Sequence, residues 1–304
     1  MQEADLPAAR RIFRLAFGTF VGHPDPENFN PDREYLFTRW RAQPENALVA
    51  EHQGAIAGSN FLARWGSFAF FGPLTVHPEL WNRGVAQALL APTLARMDAW
   101  GASDQALFTF AHSPKHIALY QKFGFWPGAL TALMGAPSRE HTPETVQFSS
   151  LAPQAQAEAL AACRQLCDAV HAGLDVTGEI EAVSRQNLGE TLLLWRDRGL
   201  EGFAVCHCGA GTEAGKDAVY IKFAAARPGP QATVALDRLL DGAHALAIRR
   251  QLPRVETGVS VARRKAYAQL LDRGFRTSMQ GVAMHRPDRV AYNRPDAFVL
   301  DDLR

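Results

Sequence analysis

Lysine is scarce in this 304-residue chain: Lys115, Lys122, Lys216, Lys222 and Lys265 are the only ones, so arginine supplies most of the positive charge, and the formal net charge is +1. No stretch concentrates that charge. Displacing phosphate counterions takes a clustered positive face, so nucleic acid is set aside as a partner. Uninterrupted apolar runs of the roughly 18 residues that cross a bilayer are also missing. The start, Met1 to Arg14, is charged and amphipathic, without the apolar stretch of a signal peptide. The expectations that follow are no membrane partner and a cytoplasmic location.

Cysteine is missing from the first half altogether. Cys163, Cys167, Cys206 and Cys208 all lie in the second. On a helical reading Cys163, Cys167 and His171 fall at i, i+4 and i+8, and a metal site completed by Cys206 or Cys208 is geometrically conceivable. The spacing fits no familiar zinc pattern, so the cysteines read as small buried apolar residues and no metal is expected.

What is present is a globular balance, with 47% apolar and 21% charged residues. The chain is about twice the usual domain length of about 150 residues, which points to two domains. Between the halves, Gly135-Ala-Pro-Ser-Arg-Glu-His-Thr-Pro-Glu144 has the composition of a linker. The expected organisation is a domain over 1–135, a linker over 136–146 and a second domain over 147–304.

The halves share a register at a constant spacing of 150 residues: His77-Pro78 matches Arg227-Pro228, Leu89-Leu90 matches Leu239-Leu240, and Gly124-Phe125 matches Gly274-Phe275. Strand-like apolar runs recur in the same places, Phe71 to Val76 and Ala106 to Ala111 against Val219 to Ala225 and Val255 to Val261. Upstream, Ala47 to Glu51 and Ile56 to Ala63 flank Gln53-Gly54 as a hairpin. Thr191 to Trp195 and Gly202 to Cys206, around a turn at Arg198-Gly199, form its second copy. Helices over Ala4 to Gly18 and Asp32 to Arg41 precede the first hairpin. Each half then reads as an α/β domain in which antiparallel strands pass into a parallel pair joined by a helix. Near the end, Asp296 to Leu300 is strand-like and fits across either domain.

Leu74 to Leu90 runs strand, turn and helix start together, with Gly84 and Ala86 at the turn. A helix start presents unpaired N–H groups and a positive dipole end to a phosphate, and small residues there let a diphosphate approach the backbone. A second helix opens at Ser113-Pro114 and ends at Gly124. The apolar stripe Ala86, Leu89, Leu90, Leu94 and Met97 reads as the buried face of the first of these helices, and Pro92 within it predicts a kink.

Through Val76-His-Pro, Arg83-Gly-Val-Ala86, and Leu119-Tyr120 followed by Gly124-Phe125, residues 2 to 134 resemble the GNAT superfamily of N-acetyltransferases. The resemblance implies a mixed α/β fold and acetyl-CoA as cosubstrate. It assigns CoA contacts to Leu74, Thr75, Val76, Trp81, Asn82, Arg83, Gly84, Val85, Ala86, Ser113, Lys115 and Tyr120. Trp81 stands where the family motif has Gln or Arg. Tyr120 takes the role of protonating the departing thiolate, and the backbone of Val76 that of holding the thioester carbonyl. A base must also take the ammonium proton of the amine acceptor, and His112, Glu51 and His77 are the candidates, with His112 placed first because it ends a strand beside the site; the resemblance adds the terminal carboxylate at Arg304 as a remote one.

The family's acceptor site is shaped largely by the segment between the first two helices. Here that is Gly22 to Glu34, whose acidic and aromatic residues alternate as would suit a cationic acceptor, although a solvated polar loop with prolines is the commoner source of such a composition. In the second half the positions of Gly84, Ala86 and Tyr120 hold Val234, Leu236 and Leu270. The second copy is therefore expected to keep the fold without the CoA site, as in two-domain members of the superfamily, and is a candidate for a homodimer interface. A non-catalytic CoA-binding sensor or scaffold is the alternative to an enzyme.

Overall fold

The apolar periods and turn residues produce the expected order of elements in the computed structural model, which describes residues 1–197 and 199–304. Two helices come first, α1 (Leu6–Phe20) and α2 (Leu36–Ala42). A hairpin follows, β1 (Ala47–His52) and β2 (Ala55–Trp65), turning on Gln53 and Gly54 with positive φ. The next strand is broken: β3 (Phe68–Phe71) and β4 (Thr75–Val76) are separated by Gly72-Pro73-Leu74. Then come α3 (Val85–Ala99), continuous through Pro92, β5 (Asp104–Phe110), α4 (Pro114–Gln121) and β6 (Trp126–Pro137).

The second half repeats this order: β7 (Val146–Gln147), α5 (Pro153–Val170), α6 (Thr177–Gln186), β8 (Gly189–Arg196), β9 (Gly199–Cys208), β10 (Ala218–Ala226), α7 (Ala232–Arg249), β11 (Arg254–Ser260), α8 (Arg264–Asp272) and β12 (Arg276–Arg286). A last strand, β13 (Val299–Leu300), lies near the C-terminal end. The expected turn residue Arg198 lies outside the described residues. The 150-residue spacing carries the element bounds with it: β5 and β11 coincide, and β10 spans the positions of β3, the break and β4.

One continuous sheet runs through both halves in the order β1-β2-β3-β5-β12-β6-β11-β10-β9-β8-β7. The last strand of each half has crossed over. β12 lies between β5 and β6, and β6 between β12 and β11. Pairing of β6 with β11 continues through Ala136 and Pro137, so the strand outlasts the expected linker start at 136. Close approach at the exchange depends on Gly281, where a Cβ would fall 2.2 Å from the Phe108 ring.

The cores follow the same interlocking. Phe68, Phe70 and Trp65 of the first half pack with Cys163, Leu166 and Ile180 of α5 and α6 and with Phe223 of β10. On the opposite face Leu90 and Met97 of α3, with Tyr120 and Phe125, pack against Leu107 and, from β12, Val282 and Met284. A buried ion cluster also bridges the halves: Glu213 pairs with Arg39 at 2.9 Å and Lys222 at 3.0 Å, and Lys222 pairs with Glu179 at 3.0 Å.

Candidate functional site

β3 and β5 run parallel from Phe68↔Asp104 to Phe71↔Leu107. Beyond Phe71 the chain turns away at Gly72, and β4 pairs with β2 while β5 continues along β12. A wedge opens between β4 and the end of β5. His77 donates its N–H to Ala57 O at 2.8 Å, so strand alternation turns the N–H and C=O of Val76 away from β2 and into the wedge. Leu74, Thr75 and Val76 all line the cavity that fills it, of about 720 Å³.

At the mouth stands the N-terminus of α3. Gly84 caps it with φ +83°, a conformation that favours glycine, and no side chain caps the helix. Its first internal backbone bond is Ala88 N–H to Gly84 O, 3.0 Å, which leaves the N–H groups of Val85, Ala86 and Gln87 without intrahelical partners. Asn82, Gly84, Val85 and Ala86 line the cavity, and this turn could hold a diphosphate. Lys115 stands nearby, its Nζ 5.6 Å from the centre of the Trp81 ring. Trp81 folds back to donate its indole N–H to Val76 O at 2.8 Å, closing off that carbonyl and leaving the Val76 N–H as the group aimed into the wedge. Arg83 is exposed and outside the cavity wall, and Ser113 is buried as the N-cap of α4, accepting from His116 N–H at 3.4 Å.

Tyr120 lines this cavity together with Val76. It is 8% exposed, its hydroxyl has no hydrogen-bond partner among the described residues, and burial raises its pKa, so it holds its proton at neutral pH. The base candidates fare differently. His112 is exposed, stacked on Phe20 at 5.8 Å, and not among the cavity-lining residues. Glu51 is exposed on β1, and His77 accepts from Glu79 N–H in its own turn. His116, one helical turn after His112, lines the cavity instead. Burial, then the charges of Lys115 and His112, lower its pKa below 6.5, which keeps the ring neutral near pH 7. The spacing His112-Ser-Pro-Lys-His116 carried this signal, since a residue on the first turn of α4 is better placed to face the wedge than one before its cap.

The segment Gly22 to Glu34 does not present its acids to the cavity. Glu27 pairs with Arg11 at 2.6 Å, Asp25 accepts from Asn28, Asp32 accepts from Lys216 N–H, and Glu34 caps α2 while pairing with Arg10. Phe29 and Asn30 of the segment line the cavity. Sequence reading missed the C-terminal half of α1, whose Phe13, Phe17 and Phe20 form much of the wall. It also missed Met279 and Leu303, which reach the cavity from the second half together with Arg304.

In the second half β10 and β11 pair from Ala218↔Arg254 to Ile221↔Thr257 and then separate in the same way. That wedge is occupied. β13 enters and pairs with β10 at Ala224↔Leu300 and Ala225↔Val299. Tyr220 donates to Asp302 at 2.9 Å, and Arg263, 2% exposed, pairs with Asp301 at 2.8 Å and donates to Val299 O at 3.0 Å. A Cβ on Gly258 would fall 2.1 Å from Asp302.

The cysteines do not meet as a metal site. His171 bonds Asp104 at 2.9 Å, burial raises the thiol pKa of Cys163 and Cys206, and no group of three or more metal-ligating side chains comes together among the described residues. No helix among them is long and apolar enough to cross a membrane.

Residues 7–125 match the profile of the acetyltransferase (GNAT) family. No curated protein matches in sequence. Among solved structures, a protein from Pyrococcus horikoshii described as an acetyltransferase is similar over 98% of this chain and 91% of its own, with TM-score 0.69 and 15% identity. A GCN5-related N-acetyltransferase from Sphaerobacter thermophilus gives 94% and 93%, TM-score 0.61 and 16%. A tandem GNAT protein from the clavulanic acid biosynthesis pathway gives 93% and 95%, TM-score 0.57 and 14%. At such identities these likenesses speak for the fold, and they extend it over both halves. The profile match and the wedge coincide in the first half, where residues 7–125 carry the signature of the acetyltransferase (GNAT) family.

Proposed function

We propose that the protein is an N-acetyltransferase that moves an acetyl group from acetyl-CoA to a primary amine of a small molecule or a protein, by direct attack on the thioester. The observation that carries this reading is the alignment along one cavity of three groups the chemistry needs: the open N-terminus of α3, the inward N–H of Val76 and the phenol of Tyr120. Amide groups at the start of α3, with Lys115 beside them, hold the pyrophosphate. Val76 N–H receives the negative charge that develops on the thioester oxygen as the amine attacks. Tyr120, kept protonated by burial, gives its proton to the leaving thiolate. His116 replaces His112 as the group that takes the ammonium proton, directly or through water.

The catalytic unit in this reading is residues 1–135. The second unit, 147–304 after the connecting residues, contributes cavity wall and β12 and does not bind CoA, a role supported by β13 lying in its wedge. A CoA-binding sensor is the second reading, favoured by Trp81 on the Val76 carbonyl and by its departure from the family motif. Calorimetry with acetyl-CoA, paired with thiol release over an amine panel, separates them. Binding with turnover establishes the transferase, binding without turnover on any amine leaves the sensor, and no binding removes both.

A further inference from the structure

Phenylalanines from three elements make up a large part of the cavity wall. Phe13, Phe17 and Phe20 come from one face of α1, Phe29 from the loop after it and Phe110 from the end of β5. Phe17 lies 4.9 Å from Phe13, 6.2 Å from Phe29 and 6.0 Å from Phe110, and Phe20 lies 4.7 Å from Phe110. Phe17, Phe20, Phe29 and Phe110 nevertheless stay partly accessible, so their ring surface faces the cavity and not one another alone. Apolar surface left uncovered inside a concave site gains free energy when a ligand covers it.

Charge in the same region is equally selective. No Asp or Glu side chain lines the cavity among the described residues, because the acids of the Gly22 to Glu34 loop are committed to Arg11, Arg10, Asn28, Lys216 and the start of α2. A second ammonium of a polyamine, or the basic neighbours of a lysine in a peptide, would lie there unpaired and desolvated. Among the polar groups beside these rings is His116, its ring 4.9 Å from that of Phe20 and held neutral. A neutral imidazole serves an incoming ammonium, which must lose a proton, and has no use for the tail of a long acyl chain.

We infer that the acceptor is a monoamine carried on an aromatic body, an arylalkylamine in chemical class, with the ring among Phe17, Phe29 and Phe110 and the amine toward His116 and Tyr120. This rests on the transferase reading for its chemistry but not for its binding. The test is therefore double. Calorimetry measures 2-phenylethylamine and spermidine against CoA-saturated protein, and thiol release from acetyl-CoA and octanoyl-CoA is followed with 2-phenylethylamine, spermidine and a lysine peptide.

The expected result is kcat/KM for 2-phenylethylamine about thirtyfold or more above the two polycations, as covering a phenyl ring predicts. Phe17→Ala should raise its KM about tenfold, with acetyl-CoA affinity and far-ultraviolet dichroism unchanged. Binding of 2-phenylethylamine but not spermidine, with no thiol released from either, supports the arylalkylamine as the ligand class of the cavity while removing the transferase reading. Preference for spermidine or the peptide overturns the inference. So does equal binding of the two amines, or octanoyl-CoA outperforming acetyl-CoA with indifference to the amine.

Discussion

Parallel pairing stops at Phe71 and Leu107 in the first half and at Ile221 and Thr257 in the second, positions related by the same 150-residue spacing, yet beyond that point one wedge is a cavity and the other holds β13. Backbone geometry alone therefore does not make a site. The side chains around the wedge decide it. Phe108 of the first half stands opposite Gly258 of the second, and Gly258 is what admits Asp302. Ser113, which caps α4, stands opposite Arg263, which grips the tail through Asp301 and Val299 O. The break at Gly72-Pro73 stands opposite Lys222-Phe223, a cation in the buried cluster and a ring in the shared core. A strand supplied by the protein has taken the place that the first half leaves open for a ligand.

The sharpest way to break this comparison is a charge at the two helix starts. Gly84→Glu adds a carboxylate where φ is +83° and where the phosphates would lie, and acetyl-CoA binding should fall below detection in calorimetry. Val234→Glu, at an exposed equivalent position, should leave the affinity unchanged. Equal loss in both would mean that the second wedge also binds CoA.

Next in size is the tail. Arg263→Ala leaves Asp301, itself 2% exposed, without its cation, and breaking a buried pair costs about 3–5 kcal/mol. Ser113→Ala at the matching position removes only a helix cap, worth about 1 kcal/mol. Urea denaturation measures both. Similar losses would show that β13 is not the support of the second half.

Much of this was legible in residue order. The hairpin glycine, the 150-residue spacing and the positive-φ glycines before Phe125 and Phe275 each encode a local turn, and local turns fix where elements start and stop. The cysteines were rightly read as buried, with Cys208 only partly so. The crossing of β6 and β12 was not legible, because the two strands bury matching positions along their lengths, and pairing partner is a tertiary choice. The acids of Gly22 to Glu34 left two readings open, a cationic acceptor site and a solvated polar loop, because composition shows that carboxylates are present while Arg10 and Arg11, one α-helix away, decide where Glu34 and Glu27 point. The open helix start proposed to hold the cosubstrate was readable because amides and small residues at a helix start are a local pattern. The rest of the cavity draws on α1, the loop, β5 and the tail, and no single window of sequence contains it.

Chemistry sharpens the comparison further. Tyr120→Phe should lower kcat about a hundredfold with the Kd for acetyl-CoA unchanged, as removal of a general acid does. Leu270, its counterpart, is fully buried in the second core, and Leu270→Met should leave kcat as it is. Unchanged turnover in Tyr120→Phe would take the phenol out of the mechanism.

The smallest effect expected is a shift in pH dependence, and its direction is fixed by the charges around His116. Burial and then the positive charges of Lys115 and His112 hold its pKa below 6.5, so the base form persists to lower pH than for a free histidine. With both substrates saturating, kcat should rise with pH to a plateau, with a midpoint below 6.5. Lys115→Gln removes one repelling cation and should move that midpoint upward. The same ionisation sets a linked stability term: the neutral ring's contribution is complete above the unfolded value of 6.5 and is lost as pH falls through the lower folded value. A midpoint that stays fixed in Lys115→Gln, or that follows His112→Gln alone, would assign the proton to another group and return His112 to the role the strand end first suggested.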